Sequence, residues 1–303
     1  MTQLLNALPG ALAQGLIWGV MAIGVYITYK VLDIADLTVD GSICTGAAVC
    51  TMLLLGGQSP WLALLCAVLA GVLAGAVTGL LHVGLGIPPI LAGILTQMVL
   101  WSVNLKLLGK ANQVLPARTT PVLLSQMDVG GALPVLLGFC VVLVALLVLF
   151  FGTELGASLR ATGSNPNMSR AQGINTNFNI VLGLAVSNAL VALSGALLSQ
   201  YQGFADVGMG RGAIVIGLAA VIIGEALFSR IFHNFALKMV SVSLGAIIYY
   251  IVIQLVLTLG FDANLLKLLS ASVVAVFLAV PYWKGKYFSK PVKKAQKEDA
   301  KNA

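Results

Sequence analysis

The sequence predicts an all-α polytopic integral membrane protein, and three observations lead there. Hydrophobic residues make up 59% of the chain and charged residues only 9%, against about 25% charged in a soluble domain. So few charges could not solvate the surface of a 303-residue globule. Apolar runs recur along the whole length, each near the roughly 20 residues that a helix needs to cross a bilayer core of about 30 Å. Small residues repeat at helical spacing inside those runs, the pattern that lets membrane helices approach closely.

Taken in order, spans are expected near residues 10–29, 42–57, 60–82, 88–105, 131–151, 179–201, 212–229, 236–259 and 264–283. That is about nine transmembrane helices, with eight to ten fitting the pattern. The second and seventh are short and glycine-rich, which marks them as broken or re-entrant. In the third, "GVLAGAVTG" places Gly71, Gly75 and Gly79 four residues apart. One helix face is left bare for a neighbour's backbone. Gly15 and Gly19 repeat the device more weakly in the first span.

"VLDIADLTVDGS" follows the first span and holds Asp33, Asp36 and Asp40. On a continuous helix these would form an acidic stripe, costly in lipid. The segment is therefore expected to be irregular, at the membrane edge or lining a cavity. Asp40 and Ser42 are residue types that cap the helix they precede. The polar residues Asp36, Thr38, Asp40, Ser42, Thr96, Gln97 and Asn104, in or beside the second and fourth spans, are the candidate translocation path. Capping and bonding between helices are the rival roles for them.

"YQGFADVGMGRGAIVIG" carries Gly203, Gly208, Gly210 and Gly212 ahead of an apolar helix. It can present free N–H groups of a helix start to a cavity, or it can be a surface loop. Glu225, near Arg230 and His233, reads as an ion pair at the membrane edge, and His82 as an interfacial residue. Residues 105–131 are mixed polar with two prolines and read as an external cap or pore cover. Cys44, Cys50, Cys66 and Cys140 form no CxxC and read as small packing residues.

The formal charge of +7 does not point to nucleic acid, because most of it sits after residue 283, where seven lysines outweigh Glu298 and Asp299. Residues 284–303 are expected to be a flexible basic tail on the cytoplasmic side, following a single membrane domain over 1–283. The connectors do not decide orientation. Lys30, Arg160, Arg170, Arg230 and Lys238 on one side balance Lys106, Lys110, Arg118, Arg211 and Lys267 on the other. The tail alone puts the C-terminus inside and the N-terminus outside. No basic residue precedes Lys30, so the start lacks the charged head of a cleaved signal peptide.

The chemistry of most enzymes is missing. There is no HExxH, no GxSxG and no GxxxxGK[ST] phosphate loop. Catalytic residues and cofactors are not expected in this chain, nor is a metal. Intramembrane charges are scarce, which disfavours an ion-coupled secondary transporter or channel, the alternative reading.

One long polar stretch stands out between two apolar runs: "TELGASLRATGSNPNMSRAQGIN", Thr153 to Asn175. Pro166 pushes Asn165 toward extended backbone and itself suits a first helical turn. The stretch is thus expected to fold as two short helices with a break between them, a docking surface rather than a linker.

Here the residues carry a resemblance. Arg160-Ala161, then Ala171-Gln172-Gly173-Ile174-Asn175, then an apolar helix reaching Ser194-Gly195, resembles the cytoplasmic coupling loop of bacterial ABC importer permeases. The similar class is that of branched-chain amino acid and ribose permeases. "DLTVDGS" with "GAAV" and "GIPPILAGILTQMVLWSVNLKLLGKAN" resemble a tryptophan/tyrosine-type subclass. The resemblance spans about residues 10–280. The Glu-Ala-Ala loop of other ABC importers is absent, since Leu155-Gly156 follows Glu154.

The resemblance implies a permease subunit in a bacterial plasma membrane, moving a small solute of the amino-acid class, aromatic ones included. It implies a second permease copy, two cytoplasmic ATPase subunits that hold ATP and magnesium, and an extracytoplasmic binding protein. Glu154, Arg160, Ala161, Asn165, Pro166, Asn167, Arg170 and Gly173 would make the ATPase contact.

Overall fold

The computed structural model describes residues 2–116, 120–228, 231–232, 234–259 and scattered positions from 268 to 279. Among the described residues it is helical apart from connecting segments and one two-stranded sheet. The helices are α1 (Thr2–Tyr26, continued by a π-helical turn Ile27–Val31), α2 (Val39–Leu55), α3 (Pro60–Leu85), α4 (Pro89–Leu108), α5 (Val129–Gly152), α6 (Glu154–Ser164), α7 (Pro166–Ala171), α8 (Thr176–Gln202), α9 (Ala213–Phe228) and α10 (Phe235–Thr258). Strands β1 (Asn112–Val114) and β2 (Phe204–Asp206) pair antiparallel, with Gln113 opposite Ala205.

Six of these helices are long and apolar enough to cross a membrane: α1 with its π turn, α3, α4, α5, α8 and α10. The second and seventh expected spans, α2 and α9, have only 17 and 16 residues. Most of the expected ninth span and the whole basic tail lie outside the described residues, as do Arg118, Arg230, His233 and Lys267.

Close glycine contacts set the packing. Gly15 of α1 lies on Ile247 and Gly19 on Ser243 of α10, so these two helices run antiparallel. Gly24 meets the Ser187 carbonyl and Ser194 donates to the Ile17 carbonyl, which sets α1 antiparallel to α8. Gly71, Gly75 and Gly79 of α3 face Asn188, Leu184 and Val181 of α8 in turn. Around α1 and α8, the two most enclosed spans, the helices are close-packed, whereas α4 and α5 leave most of their apolar surface outward.

The two short helices have an unusual placement. Ser42, Gly46 and Cys50 of α2 lie beside Asn188, Ala192 and Gln200 of α8, so α2 runs parallel to α8 and starts level with its middle. At 1.5 Å per residue, Asn188 is ~18 Å from the start of α8. Gly224 and Gly245 set α9 antiparallel to α10, hence opposed to α2. Helix α9 also begins at this level, where Gly210 packs on the Asp40 carbonyl and Ile43. Two short helices thus start near the centre of the bundle and run toward opposite ends.

Candidate functional site

Two irregular segments enter the bundle to reach that central level. Residues 32–38 climb back from the end of α1, with Asp33 in the left-handed region at φ 57°. Residues 203–212 descend from the end of α8 and need positive φ at Gly203 and Gly212. Non-helical backbone at membrane depth has free polar groups, so it persists only where protein or a cavity satisfies them. Here acidic side chains do much of that work.

Asp36 is 2% exposed. Its Oδ1 accepts from the Thr38 N–H at 2.9 Å, and its Oδ2 accepts from Asn188 Nδ2 at 2.7 Å. Asn188 Oδ1 in turn accepts from the Ser42 hydroxyl at 2.6 Å. One buried network therefore ties the connector, α2 and α8 together. Asp36, rather than Asp40 or Ser42, closes the turn that opens α2, because the chain kinks at Asp33 and brings Asp36 back over the Thr38 amide.

Asp40 acts across space instead. It sits in the first turn of α2, and its carboxylate accepts from the Gly212 and Ile214 N–H groups, each at 2.9 Å. It caps α9, a helix that begins 173 residues later, where the positive end of the helix dipole favours a carboxylate. The expected role as cap of its own helix is thus corrected. The glycine-rich segment before α9 does run inward, and its helix-start N–H groups are already occupied.

A second network is made of hydroxyls. Thr38 Oγ1 and Thr78 Oγ1 are 2.7 Å apart, and Thr78 donates to Thr96 Oγ1 at 2.9 Å. It joins the connector to α3 and α4. Thr78 was not among the sequence candidates; its place on the α3 face beside Gly75 and Gly79 was the available signal.

Asp40, Gly41 and Cys44 of α2, Gln97, Trp101 and Asn104 of α4, and Val207 with Arg211 enclose a cavity of about 110 Å³. Gln97, Trp101 and Asn104 fall on one face of α4 by helical spacing, whereas Thr96 points the other way into the hydroxyl network. Arg211 lies over the Trp101 ring, with its Cζ 4.5 Å from the ring centre. Asn104 is 1% exposed, and neither its Oδ1 nor its Nδ2 has a partner among the described residues. Of the candidate path residues, Asp40, Gln97 and Asn104 meet at this cavity. Asp36, Thr38, Ser42 and Thr96 sit in the two networks behind it. Sequence reasoning missed Trp101 and Arg211 as wall residues.

At one end of the bundle, α6 and α7 form the expected helix–break–helix. Asn165 is extended, at φ −156° and ψ 97°, and its side chain accepts from the Met168 N–H, with Pro166 in the first turn of α7. Helix α6 is wedged against its neighbours. Gly163 seats on the Val31 carbonyl at the end of α1, and Asn179 of α8 donates to Thr162 at 2.8 Å. Arg160 donates to the Phe151 carbonyl at 3.1 Å and lies over the Phe235 ring. Arg170 donates to Thr176 at 2.8 Å. Glu154, Asn165, Pro166, Asn167, Arg170 and Gly173 are exposed; Ala161 is half-buried. Nearby, Glu225 pairs with Lys30 at 3.1 Å. His82 meets the Ile87 carbonyl at 2.7 Å, at the turn between α3 and α4.

At the opposite end, residues 114–116, 125–127 and 201–203 line a wider hollow of about 450 Å³. Among the described residues no three His, Cys, Asp or Glu side chains gather as metal ligands.

Comparison with known proteins places this architecture. A profile of the family described as "Branched-chain amino acid transport system / permease component" matches residues 8–280. A tyrosine transport system permease protein of Clostridioides difficile is 40% identical over 277 residues, covering 91% of each chain. An uncharacterized protein of Rickettsia prowazekii is 36% identical, covering 91% of this chain and 98% of its own. The D-allose transport system permease protein of Escherichia coli is 29% identical over 64% of this chain and 59% of its own. No solved structure matches the chain.

Proposed function

The chain belongs to the branched-chain amino acid transport system permease family, and from that premise we propose that it carries an amino acid, aromatic ones included, through the membrane as one half of an ABC importer. Family membership makes it a multi-pass transport subunit rather than an enzyme. The finer assignments are the proposal. An extracytoplasmic binding protein delivers the solute over the hollow lined by residues 114–116, 125–127 and 201–203. Two permease copies form the path. Two ATPase subunits, holding ATP and magnesium, dock on α6 and α7 from the cytoplasm, the side of the C-terminal tail.

The observation that carries this reading is the central junction where α2 and α9 begin. Discontinuous helices that start near mid-bilayer are where transporters place solute contacts. The junction is also mechanically connected to α6. A push on α6 bears on the end of α1 through Gly163 and on α8 through Asn179. Asn188, further along α8, holds Asp36 and Ser42, and so the start of α2.

Reconstitution tests the proposal. The permease, its ATPase and its binding protein in liposomes should take up L-tyrosine only with ATP on the ATPase side, and ionophores that collapse proton and sodium gradients should not matter. Uptake that persists without ATP and stops with the ionophores would establish the ion-coupled alternative instead.

A further inference from the structure

We infer that the cavity beside Asp40 receives the ammonium–carboxylate head of a free α-amino acid, a subsite that rests on the permease reading and gives its path a chemistry. The walls carry opposite charges. The Asp40 carboxylate stands on α2, and the Arg211 guanidinium stands on the segment that leads into α9. They are not ion-paired with each other; among the described residues the one ion pair is Lys30–Glu225.

Asp40 accepts backbone N–H groups at the start of α9 on both oxygens and keeps lone-pair capacity for an ammonium group. Arg211 is held flat on Trp101, and its N–H groups make no hydrogen bond among the described residues. Such a fork suits a carboxylate. Asn104 lines the same cavity, buried and without a hydrogen-bond partner among the described residues. A buried amide left without hydrogen bonds is destabilising. Its carbonyl oxygen can accept from the ammonium and its NH₂ can donate to the carboxylate, so one residue answers both ends of the zwitterion.

The cavity has room for a small ligand head, with a volume of about 110 Å³ against the roughly 10–15 Å³ that one water needs. The side chain would then extend past Trp101, which is 40% exposed. A lone cation fits less well because Arg211 opposes it. A lone anion fits less well because Asp40 does.

The test is binding to the full-length permease in nanodiscs, without binding protein or ATPase. Radiolabelled L-tyrosine should bind saturably. Tyramine, which lacks the carboxylate, and 3-(4-hydroxyphenyl)propionate, which lacks the ammonium, should compete about ten- to a hundredfold more weakly. D-Ribose should not compete. Arg211→Gln, at an exposed position, should lower tyrosine affinity and remove its advantage over tyramine. Asn104→Leu should lower affinity for all three aromatic ligands.

Equal competition by tyramine would make this a cation site, and equal competition by the propionate an anion site; either overturns the inference. So does displacement by D-ribose, or absence of saturable binding to a permease that melts cooperatively. If the reconstituted complex imports L-tyrosine with ATP while the isolated permease binds none, the subsite fails and the permease reading stands. If ATP drives no uptake yet tyrosine binds with this ranking, the reverse holds.

Discussion

Replacing Gly75 by leucine tests the packing at the heart of the bundle. A Cβ at this position would overlap the Leu184 carbonyl oxygen and lie 2.7 Å from the Leu184 carbonyl carbon and 2.8 Å from Ala185 Cα. Ordinary contact begins near 3.4 Å, and the obstructing atoms are backbone that cannot rotate aside. Helix α3 must therefore draw back from α8 by more than about half an ångström. Overpacking of this kind costs about 1–3 kcal/mol, and backbone contact puts it toward the upper end. The better helix propensity of leucine returns somewhat under 1 kcal/mol, leaving a net loss of about 2 kcal/mol. In detergent this should lower the melting temperature by about 4–8 °C. Gly84→Ala is the control, because a Cβ there meets nothing within 4 Å; it should gain stability from helix propensity alone. If Gly75→Leu melts within about a degree of the parent, or if Gly84→Ala falls as far, the tight α3–α8 seam is refuted.

Four further outcomes are expected. Asp40→Ala removes the acceptor for two N–H groups at the start of α9 and should cost about 2–4 kcal/mol in thermal unfolding; Asp40→Asn should recover part of it. Thr96→Val should lower stability by about 1 kcal/mol through the hydroxyl network with little change in transport, while Gln97→Leu, at the cavity wall, should change transport with little change in stability. Uptake assays and melting curves on both variants separate these roles, and identical phenotypes would sink the distinction. Arg160→Glu with Arg170→Glu should leave the permease inserted but reduce ATPase capture in a pull-down and substrate-stimulated hydrolysis at least tenfold, with repulsion replacing attraction; full assembly with undiminished hydrolysis removes these arginines from the contact. In a background lacking native cysteines, an impermeant thiol reagent on intact cells should label Met127→Cys and spare Asn167→Cys, and the opposite pattern would invert the proposed orientation.

Much of the architecture is local and could be read along the chain. Each apolar run dictates its own helix, because no other backbone satisfies its hydrogen bonds in lipid. Pro166 and the Asn165 cap set the break between α6 and α7 through their immediate neighbours. Gly71, Gly75 and Gly79 announce a close approach, but not that the partner is α8. The conflict between three aspartates and a greasy surrounding announces an irregular segment, but not how each carboxylate is satisfied.

Those answers depend on residues far apart in sequence. Asp40 looks like the cap of α2 from its own neighbourhood, and only the tertiary fold brings Gly212 and Ile214 to its oxygens. Glu225 pairs with Lys30, which lies 195 residues away along the chain. Thr96 and Gln97 are adjacent, yet 100° of helical rotation sends one into a hydroxyl network and the other to the cavity. The sequence by itself determined that this protein lives in a membrane, roughly where its helices run, and which stretch stands outside on a polar knob, since hydropathy, capping and turn chemistry act over a few residues. The tertiary structure alone decided which polar groups share a cavity and which are spent on one another, since that depends on which helix faces meet.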